Sequence, residues 1–263
     1  MTTPDDEWAG RVAVVTGAGG AMGSAVVAEL CRRGVRVAGL DRADALDTAG
    51  NAVKDIEGAT FLPIPVDVGT VESIVDAFAQ VDERLGPTTL LANFAAMNSS
   101  PVGVLELDDA EWQRVLDVNL SGTFWTCREA IRRMVPSGGG SIVNISSLNG
   151  FMGRMQFPTH AYAVSKAGVI GMTTTLATEV GTYGIRVNCV APGLHKSPMA
   201  YAVAGSDSAT DQFFGGAIEA TPLRRVADAA EMVGPVLFLL SSESGYMTGQ
   251  MFASDGGRSR WYQ

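Results

Sequence analysis

Tyr162 and Lys166 are the residues of this chain whose types and spacing point most directly to chemistry. They stand four residues apart in the segment AYAVSKAG, and this spacing places two side chains on one face of a helix. A tyrosine is a poor base at neutral pH, but a neighbouring ammonium group favours the phenolate. Lowering the phenol pKa by about 3 units requires roughly 4 kcal/mol of differential interaction. The pair therefore predicts a proton-transfer site, although a surface tyrosine beside an unrelated lysine has the same spacing.

A glycine-rich turn near the N-terminus could hold a phosphate group. The apolar residues 12–15 predict a buried strand, and Gly17, Gly19, Gly20 and Gly23 follow it. The next residues have the apolar spacing of one helix face. Such a unit directs backbone N–H groups and the positive end of a helix dipole at a phosphate, and glycine leaves room for its approach. The stretch alone is equally compatible with a structural turn.

Asp41 ends the second predicted strand, and its position bears on the choice of cofactor. A dinucleotide-binding unit carries an acidic residue about 20 residues beyond the glycine turn, where it binds the adenosine ribose. A solvated turn carboxylate is the simpler alternative. A 2′-phosphate about 4 Å from this carboxylate would be disfavoured by about 4 kcal/mol per charge pair. Arg42 offsets only part of that repulsion, so we expect NAD rather than NADP.

Strands and helices alternate along the sequence, which predicts a parallel sheet with right-handed crossovers and helices on both faces. Pro63 and Pro65 restrict the third strand to a sheet edge or to an irregular conformation, and Asp108 with Glu111 predicts a capping box. The fold class is α/β, a doubly wound parallel sheet of about seven strands in one domain over residues 1–263. Strands are predicted at residues 12–15, 35–41, 60–66, 88–93, 141–146, 185–190 and 250–253. Helices are predicted after the glycine turn and at residues 71–85, 108–135, 161–180 and 228–240, with a mobile substrate loop at about 194–222 that contains short helical pieces.

Composition excludes several classes of protein. A net charge of −9 over 263 residues argues against nucleic acid or an anionic membrane surface as a partner. The acidic start lacks the apolar core of a signal peptide, and no apolar run reaches the roughly 20 residues of a membrane-spanning helix. Cys31, Cys127 and Cys189 lie far apart in apolar segments, which predicts reduced thiols and a cytoplasmic location. With two histidines and no cysteine cluster, we expect no metal site.

Six short motifs occur in this chain in the order in which one enzyme family carries them. They are TGAGGAMG, NFAA, DVNLSGTF, SIVNISS, YAVSK and NCVAPG, within a match over about residues 11–257. A Tyr-x-x-x-Lys spacing alone is common by chance, but six motifs in register are not. In these residues the sequence resembles the short-chain dehydrogenase/reductase family. The resemblance implies a Rossmann fold and hydride transfer with a nicotinamide cofactor.

The resemblance implies a role for each member of a catalytic group. Tyr162 would exchange a proton with the substrate oxygen, while Lys166 would lower its pKa and bind the nicotinamide ribose. Ser147 would hold the substrate oxygen, and because strand residues alternate in direction, Ser146 would face the core. Asn119 would carry a water molecule that links the lysine to solvent.

The resemblance also implies a cofactor site built from the glycine turn, several strand ends and the segment after Pro192. Ala21 replaces a glycine where the pyrophosphate lies close, and Phe94 and Ala96 depart from the family motif. His195 stands where the family has a branched aliphatic residue; it could contact the substrate or the nicotinamide, or be a solvent-facing loop histidine. The implied cofactor-binding residues are Gly17, Gly20, Ala21, Met22, Gly23, Asp41, Arg42, Asp67, Val68, Asn93, Ala95, Tyr162, Lys166, Pro192, Gly193, His195 and Ser197.

We expect hydride transfer between NAD(H) and a secondary alcohol or ketone of apolar character. By family position, methionine and phenylalanine side chains would form an apolar, adaptable substrate pocket. Core or subunit-interface positions are the alternative for each of them. The pocket candidates are Met97, Leu148, Met152, Met155, Phe157, Met199, Phe213 and Phe214.

Two rival functions stay open on the sequence. A 3-oxoacyl carrier protein reductase would use NADPH, which Asp41 opposes. Its acidic carrier could bind a basic cluster on the predicted helix 108–135, although a solvated helix face explains that cluster as well. A dinucleotide-binding sensor or scaffold would not need the proton-transfer residues. The family further implies a homodimer or homotetramer, to which Trp261 and Tyr262 could contribute. The basic cluster consists of Arg128, Arg132 and Arg133.

Overall fold

Seven parallel strands form the central sheet of the protein, in the spatial order β3-β2-β1-β4-β5-β6-β9. The computed structural model describes residues 7–153, 158–204 and 207–260. The strands of this sheet are β1 Val12–Thr16, β2 Arg36–Asp41, β3 Thr60–Pro65, β4 Leu90–Asn93, β5 Gly140–Ile145, β6 Ile185–Pro192 and β9 Met251–Ser254. The helices are α1 Ala21–Arg32, α2 Leu46–Val53, α3 Val71–Arg84, α4 Asp109–Leu116, α5 Gly122–Met134, α6 His160–Val180, α7 Pro198–Ala204, α8 Asp207–Glu219 and α9 Val233–Leu240.

Helices cover both faces of the sheet, which confirms the predicted fold class. On one face, apolar side chains of α1 and α9, such as Leu30 and Val236, pack against the sheet. On the other face α3, α5 and α6 contribute buried residues, such as Phe78 and Leu176. Because both faces are covered, β1 is buried along its whole length.

The order of the strands determines where a ligand can bind. The chain goes from β1 outward through β2 to β3, and then returns to the other side of β1 to form β4. At such a reversal the loops leave β1 and β4 in opposite directions, so a crevice opens at their carboxyl ends. The glycine turn follows β1 directly, at this crevice.

Prolines in β3 are tolerated because this strand lies at the sheet edge, as predicted. Pro63 stands opposite Gly39 and Pro65 opposite Asp41 in the parallel register with β2. Both prolines are exposed, whereas Leu62 and Ile64 point into the core. The alternation along β3 therefore matches a strand with only one paired neighbour.

The helix predicted at 108–135 is not continuous. A π-helical turn, Asp117–Ser121, separates α4 from α5. The Asp108 carboxylate accepts a hydrogen bond from the Glu111 N–H at 3.0 Å, so half of the predicted capping box is present. The Glu111 carboxylate instead accepts hydrogen bonds from the backbone N–H and the hydroxyl of Ser100. This contact ties the loop after β4 to the start of α4.

The segment after β6 contains more regular structure than the sequence predicted. A two-residue strand, β7 His195–Lys196, pairs in parallel with β8 Ala227–Asp228. The helices α7 and α8 lie between them. The helix predicted at 228–240 begins instead with a 3₁₀ turn, Ala229–Met232, that precedes α9. The β7–β8 pair therefore closes the predicted substrate loop at its base.

Candidate active site

The glycine turn leaves no room for larger side chains at three of its positions. A Cβ on Gly17 would come within 2.6 Å of the Ala95 backbone nitrogen, and Gly17 has a left-handed φ of +65°. A Cβ on Gly19 or Gly23 would overlap a backbone carbonyl oxygen, that of Ala45 or Gly17 respectively. Gly20 precedes α1 as its N-cap and has no side chain to bond the first N–H groups. Such N–H groups can donate hydrogen bonds to a pyrophosphate.

The Ala21 methyl group is compatible with this turn. Ala21 is the first residue of α1 and is half-buried, with ordinary helical geometry. Met22 is also half-buried and packs against the core beneath the turn. The departure from the family glycine therefore leaves the backbone of the turn intact.

Asp41 lies beside the glycine turn. Its Oδ2 accepts a hydrogen bond from the Gly19 N–H at 2.9 Å, and its Oδ1 accepts one from the Arg42 N–H at 2.8 Å. The guanidinium group of Arg42 turns away to an exposed ion pair with Asp44 at 3.2 Å. The carboxylate at the end of β2 is therefore held against the turn by backbone donors.

Asp67 and Val68 stand at the end of the neighbouring edge strand. The Asp67 carboxylate is exposed and accepts a hydrogen bond from the Gly69 N–H at 2.9 Å, which shapes a tight turn. Val68 is 9% exposed and packs in the core beneath it. Both residues lie at the carboxyl edge of the sheet, on the same side as Asp41.

Tyr162 and Lys166 lie one turn apart near the start of α6, as their spacing predicted. The Lys166 Nζ is 5.8 Å from the centroid of the Tyr162 ring. The same Nζ donates a hydrogen bond to the Ile145 carbonyl oxygen at the end of β5, at 2.7 Å. Lys166 is only 2% exposed, and its burial lowers its pKa to about 8. The lysine is thus anchored between helix and sheet beneath the tyrosine.

The expected decrease in the pKa of Tyr162 is not found in the protein chain. Burial raises the pKa of the phenol, and a hydrogen bond with Ser147 offsets part of that increase. The sequence argument counted the charge of Lys166 but not the loss of hydration, which opposes the phenolate and the ammonium alike. The expected decrease concerned the enzyme with its nicotinamide cofactor bound, so it stays a prediction for that state.

The two consecutive serines after β5 point to different surroundings. The Ser146 hydroxyl is buried and donates to the Lys166 backbone carbonyl at 2.7 Å. Ser147 is half-buried, and its Oγ accepts a hydrogen bond from the Asn149 N–H at 3.2 Å. Its hydroxyl also bonds Tyr162. Ser147 is therefore the serine that reaches the phenol, as strand alternation requires.

Asn119 lies in the π-helical turn and is fully buried. Its side chain accepts from the Met97 N–H at 2.8 Å and donates to the Met97 carbonyl at 2.9 Å. It also donates to the Ser165 hydroxyl at 3.1 Å, and that hydroxyl donates to the Tyr162 carbonyl. Both N–H donors of the amide are therefore used, and the side chain connects the loop after β4 to the first turns of α6.

The side chain of Asn93 is turned into the protein interior, so only its backbone is left to contribute to the expected cofactor site. It is 3% exposed and belongs to a buried network with Asn144, Thr16, Thr126 and Cys127. The Thr16 hydroxyl in turn accepts from the Ala95 N–H at 3.2 Å. Sequence reasoning missed this network, whose signal was a polar residue inside each of several apolar strands.

The segment after Pro192 is fixed to the sheet by its backbone. Gly193 donates to the Ser254 carbonyl at 2.9 Å, and the Ser197 Oγ accepts from the Ala200 N–H at the start of α7. His195 is 3% exposed, so the solvent-facing alternative is wrong. Its Nδ1 lies 3.1 Å from the Gly193 carbonyl oxygen.

The structure describes six of the eight pocket candidates. Leu148 and Phe213 are buried, Met199 is exposed, and Met97, Met152 and Phe214 are half-buried. Phe214 contacts Tyr201 and Phe213, with ring centroids 5.1 and 5.5 Å away. Met155 and Phe157 lie outside the described residues, as do Trp261 and Tyr262.

The basic cluster on α5 is paired in part within the chain. The carboxylate of Glu129 is 3% exposed and pairs with Arg128, Arg132 and Arg133 at 3.6, 3.0 and 3.0 Å. Arg133 also pairs with Asp82 of α3 at 2.7 Å. The three guanidinium groups thus share two carboxylates, and the side chain of Arg132 stays 62% exposed.

Within the described ranges of the chain, no group of three or more His, Cys, Asp and Glu side chains is close enough to bind a metal ion. No helix there has the length and apolar character needed to span a bilayer. The three cysteines are buried free thiols.

Comparison with known proteins agrees with the geometry of the site. The sequence model of a family described as Enoyl-(Acyl carrier protein) reductase matches residues 17–259. Galactitol 2-dehydrogenase (L-tagatose-forming) of Cereibacter sphaeroides is 35% identical over 96% of each chain. The 3-alpha-(or 20-beta)-hydroxysteroid dehydrogenase of Mycobacterium tuberculosis is 36% identical over 94% of this chain and 89% of its own.

A solved structure resembles the whole chain. It is L-sorbose reductase from Gluconobacter frateurii complexed with NADPH and L-sorbose, with a TM-score of 0.90 and 28% identity over 98% of this chain and 100% of that one. Together with the crevice, the glycine turn and the grouping of Ser147, Tyr162 and Lys166, these matches show that the chain belongs to the short-chain dehydrogenase/reductase family, oxidoreductases that use a nicotinamide cofactor.

Proposed function

We propose that the protein transfers a hydride between NAD(H) and a secondary alcohol or ketone. One observation carries the proposal. The Tyr162 hydroxyl is hydrogen-bonded to Ser147, and the buried Nζ of Lys166 lies 5.8 Å from the ring. All three side chains stand at the carboxyl edge of the sheet that carries the glycine turn. Proton transfer and dinucleotide binding thus belong to one crevice.

In the proposed reaction Tyr162 moves the proton and Ser147 orients the substrate. The Ser147 hydroxyl donates to the oxygen that reacts, while Tyr162 takes the alcohol proton in oxidation or gives a proton to the carbonyl oxygen in reduction. A bound nicotinamide dinucleotide supplies the hydride acceptor or donor. With a pKa of about 8, Lys166 is mainly an ammonium group at pH 7 and adds positive charge beneath the phenol. Asn119 holds α6 against the loop after β4, which keeps the phenol in place.

The proposed cofactor site uses the turn, the strand ends and the segment after β6. The backbone of the glycine turn and Met22 would bind the pyrophosphate, and Asp67 and Val68 would flank the adenine. The backbone near Ala95 would line the crevice wall. Pro192, Gly193, His195 and Ser197 belong to the segment that would hold the carboxamide of the nicotinamide.

NAD is proposed over NADP because of Asp41. Two backbone N–H groups hold its carboxylate beside the glycine turn, where it can accept hydrogen bonds from ribose hydroxyls. A phosphate in the same place would meet this negative charge. Arg42 is already paired with Asp44 and does not shield the carboxylate.

The proposed substrate is a secondary alcohol of apolar character. The half-buried Met97, Met152 and Phe214 offer adaptable apolar contacts. The matched relatives are named for a polyol and for hydroxysteroids, so both classes belong in the test. An absorbance assay of NADH formation at alkaline pH with secondary alcohols, sterols and polyols would distinguish them. Faster turnover of polyols than of apolar alcohols would contradict the apolar assignment.

The rival function as a carrier protein reductase is less well supported once the basic cluster is seen to be partly paired. The arginines on α5 are engaged by Glu129, so the surface offers less charge to an acidic carrier.

We also propose a homodimer or homotetramer in the cytoplasm. The exposed Phe124 on α5 and Val164 on α6 support association through these helices, and the free thiols suit a reducing compartment. Sedimentation at the single-chain mass of 27.5 kDa would rule out assembly.

Replacing Tyr162 by Phe tests the catalytic proposal. This substitution removes only the hydroxyl, so we expect turnover of the best alcohol to fall about 10²- to 10⁴-fold. The dissociation constant of NADH, measured by fluorescence, should stay within a few-fold of that of the wild type. A Tyr162→Phe protein that oxidises alcohols as fast as the wild type would refute the assignment and favour a binding role without turnover.

A further inference from the structure

His195 contains a buried polar atom that lacks a partner among the described residues. Its Nδ1 lies 3.1 Å from the Gly193 carbonyl, which can only accept, so Nδ1 carries the proton of the neutral ring. The lone pair of the neutral ring is then on Nε2. That atom is buried and finds no hydrogen-bond partner in the described parts of the chain. The neutral imidazole tolerates this better than an imidazolium would, because an unpaired buried charge is far more costly than an unpaired lone pair.

The ring faces a cavity of about 160 Å³ behind the β7–β8 pair. Arg225 and Glu231 line this cavity as a bidentate ion pair, with both N–O distances at 2.6 Å. The cavity does not include Ser147, Tyr162 or Lys166 among its described lining residues. His195 therefore lines a cavity whose described walls are separate from the proposed catalytic group.

Charged groups on each neighbouring element act on this ring. Burial lowers the pKa of His195, the Gly193 carbonyl and the Glu231 carboxylate raise it, and Arg225 lowers it. Asp255 lines the same cavity, and Lys196 pairs with Asp228 at 3.0 Å across the β7–β8 register. Glu231 is the negative group that acts directly on the imidazole.

The Glu231 carboxylate is already engaged by other donors and is not free to accept a hydrogen bond from His195. Its carboxylate accepts hydrogen bonds from both terminal nitrogens of Arg225 and from the Asp228 N–H at 2.8 Å. These contacts hold the pKa of Glu231 at about 2, so it stays ionised over the working range. An imidazolium at position 195 would compete with Arg225 for this carboxylate. Such competition would disturb β8 and, through the strand pair, β7.

From this geometry we propose that His195 is a positioning residue, which must be neutral for the segment from Gly193 to Ser197 to hold the cofactor. Proton uptake at Nε2 weakens dinucleotide binding by displacing β7 from its place against β8. The inference rests on the proposed function only in assigning this segment to the cofactor. Coupling between two binding equilibria is reciprocal. If protonation of His195 weakens cofactor binding, bound cofactor must therefore lower the proton affinity of His195.

Binding and NMR measurements on the full chain test the inference without turnover. The chain has two histidines, so His160→Gln assigns the remaining imidazole signal to His195. We expect saturating NAD⁺ to shift the titration of this signal to lower pH. Calorimetric titration with NAD⁺ should give a dissociation constant that rises toward tenfold per pH unit below the His195 pKa. An unchanged titration with NAD⁺ bound would overturn the inference.

Two variants make the test specific. His195→Asn keeps an N–H donor near the Gly193 carbonyl but does not titrate, so its NAD⁺ dissociation constant should be independent of pH where that of the wild type rises. Glu231→Gln removes the charge that favours the imidazolium and should move the wild-type pH dependence to lower pH. If either variant fails to fold, the other decides. A His195→Asn profile identical to that of the wild type contradicts the inference, whereas absence of NAD⁺ binding at every pH contradicts the proposed function.

Discussion

The substitution Asp41→Asn should change the cofactor preference of the enzyme. The asparagine keeps one side-chain oxygen that can accept the Gly19 N–H, now bonded at 2.9 Å, so the glycine turn should hold its shape. What it removes is the negative charge. Hydrogen bonds to charged groups contribute about 1.5–3 kcal/mol, so kcat/KM with NAD should fall about 10- to 150-fold.

The same change should favour NADP. Two unit charges about 4 Å apart near a protein surface repel by about 4 kcal/mol, which sets the upper limit of the gain. Asp41 is half-buried and salt screens part of the interaction. We therefore expect kcat/KM with NADP to rise about 10- to 100-fold, because each 1.4 kcal/mol is about a factor of ten. Steady-state rates with both cofactors at saturating alcohol measure the ratio.

Asp44→Asn provides the matched control for this prediction. It removes one negative charge from the same loop and releases Arg42, whose partner it is at 3.2 Å, but its side chain is exposed and bonded to Arg42, whereas that of Asp41 accepts from the glycine turn. A general charge effect would change the cofactor ratio equally in both variants. Equal ratios, or an Asp41→Asn enzyme with the wild-type preference for NAD, would refute the reasoning about the ribose.

Three further substitutions test the packing and charges of the site. Folding lowers the pKa of Lys166 to about 8 from 10.5, so the unfolded chain binds more protons between these values. The unfolding free energy of the wild type relative to Lys166→Met should thus be constant below pH 8 and rise between pH 8 and 10.5 in urea titrations; a relative decrease would contradict the assignment. Glu129→Gln should destabilise the protein by about 1.5–3 kcal/mol, since Arg133, which is 16% exposed, keeps Asp82 but loses the charge of its buried partner. An unchanged urea midpoint would show that solvent replaces the carboxylate. Gly23→Ala should cost about 1–3 kcal/mol and weaken NADH binding, because the new methyl group overlaps the Gly17 carbonyl oxygen. Normal NADH affinity in this variant would mean that the turn can relax.

The fold was predictable because its signals are local and repeated. Each buried strand of a parallel sheet is a short apolar run, and the helices between strands show one apolar face. The prolines of β3 even indicated an edge position, which the sheet order confirms. The order of the strands and the crevice follow from handedness rules and do not depend on particular side chains.

Several features of the site depend on contacts between residues far apart in the sequence, and periodicity does not report them. The π-helical turn that contains Asn119 lies within what looks like one continuous helix. The β7–β8 pair has two residues per strand, too few for an alternating pattern. The side chain of Asn93 is turned inward by partners on β1, β5 and α5. Such polar networks are specified by mutual hydrogen bonding, which one strand alone does not encode.

The electrostatics of Tyr162 show most clearly what spacing leaves out. A four-residue separation places an ammonium group near a phenol, but it says nothing about how deeply both are buried. In the folded chain burial favours the neutral form of each group. It therefore raises the pKa of Tyr162 and lowers that of Lys166 to about 8. The lysine nevertheless remains mostly charged at pH 7, and Ser147 supplies a hydrogen bond that favours the phenolate. The basicity of the tyrosine is therefore a balance among hydration, Ser147 and local positive charge, and not a property of the Tyr–Lys pair alone.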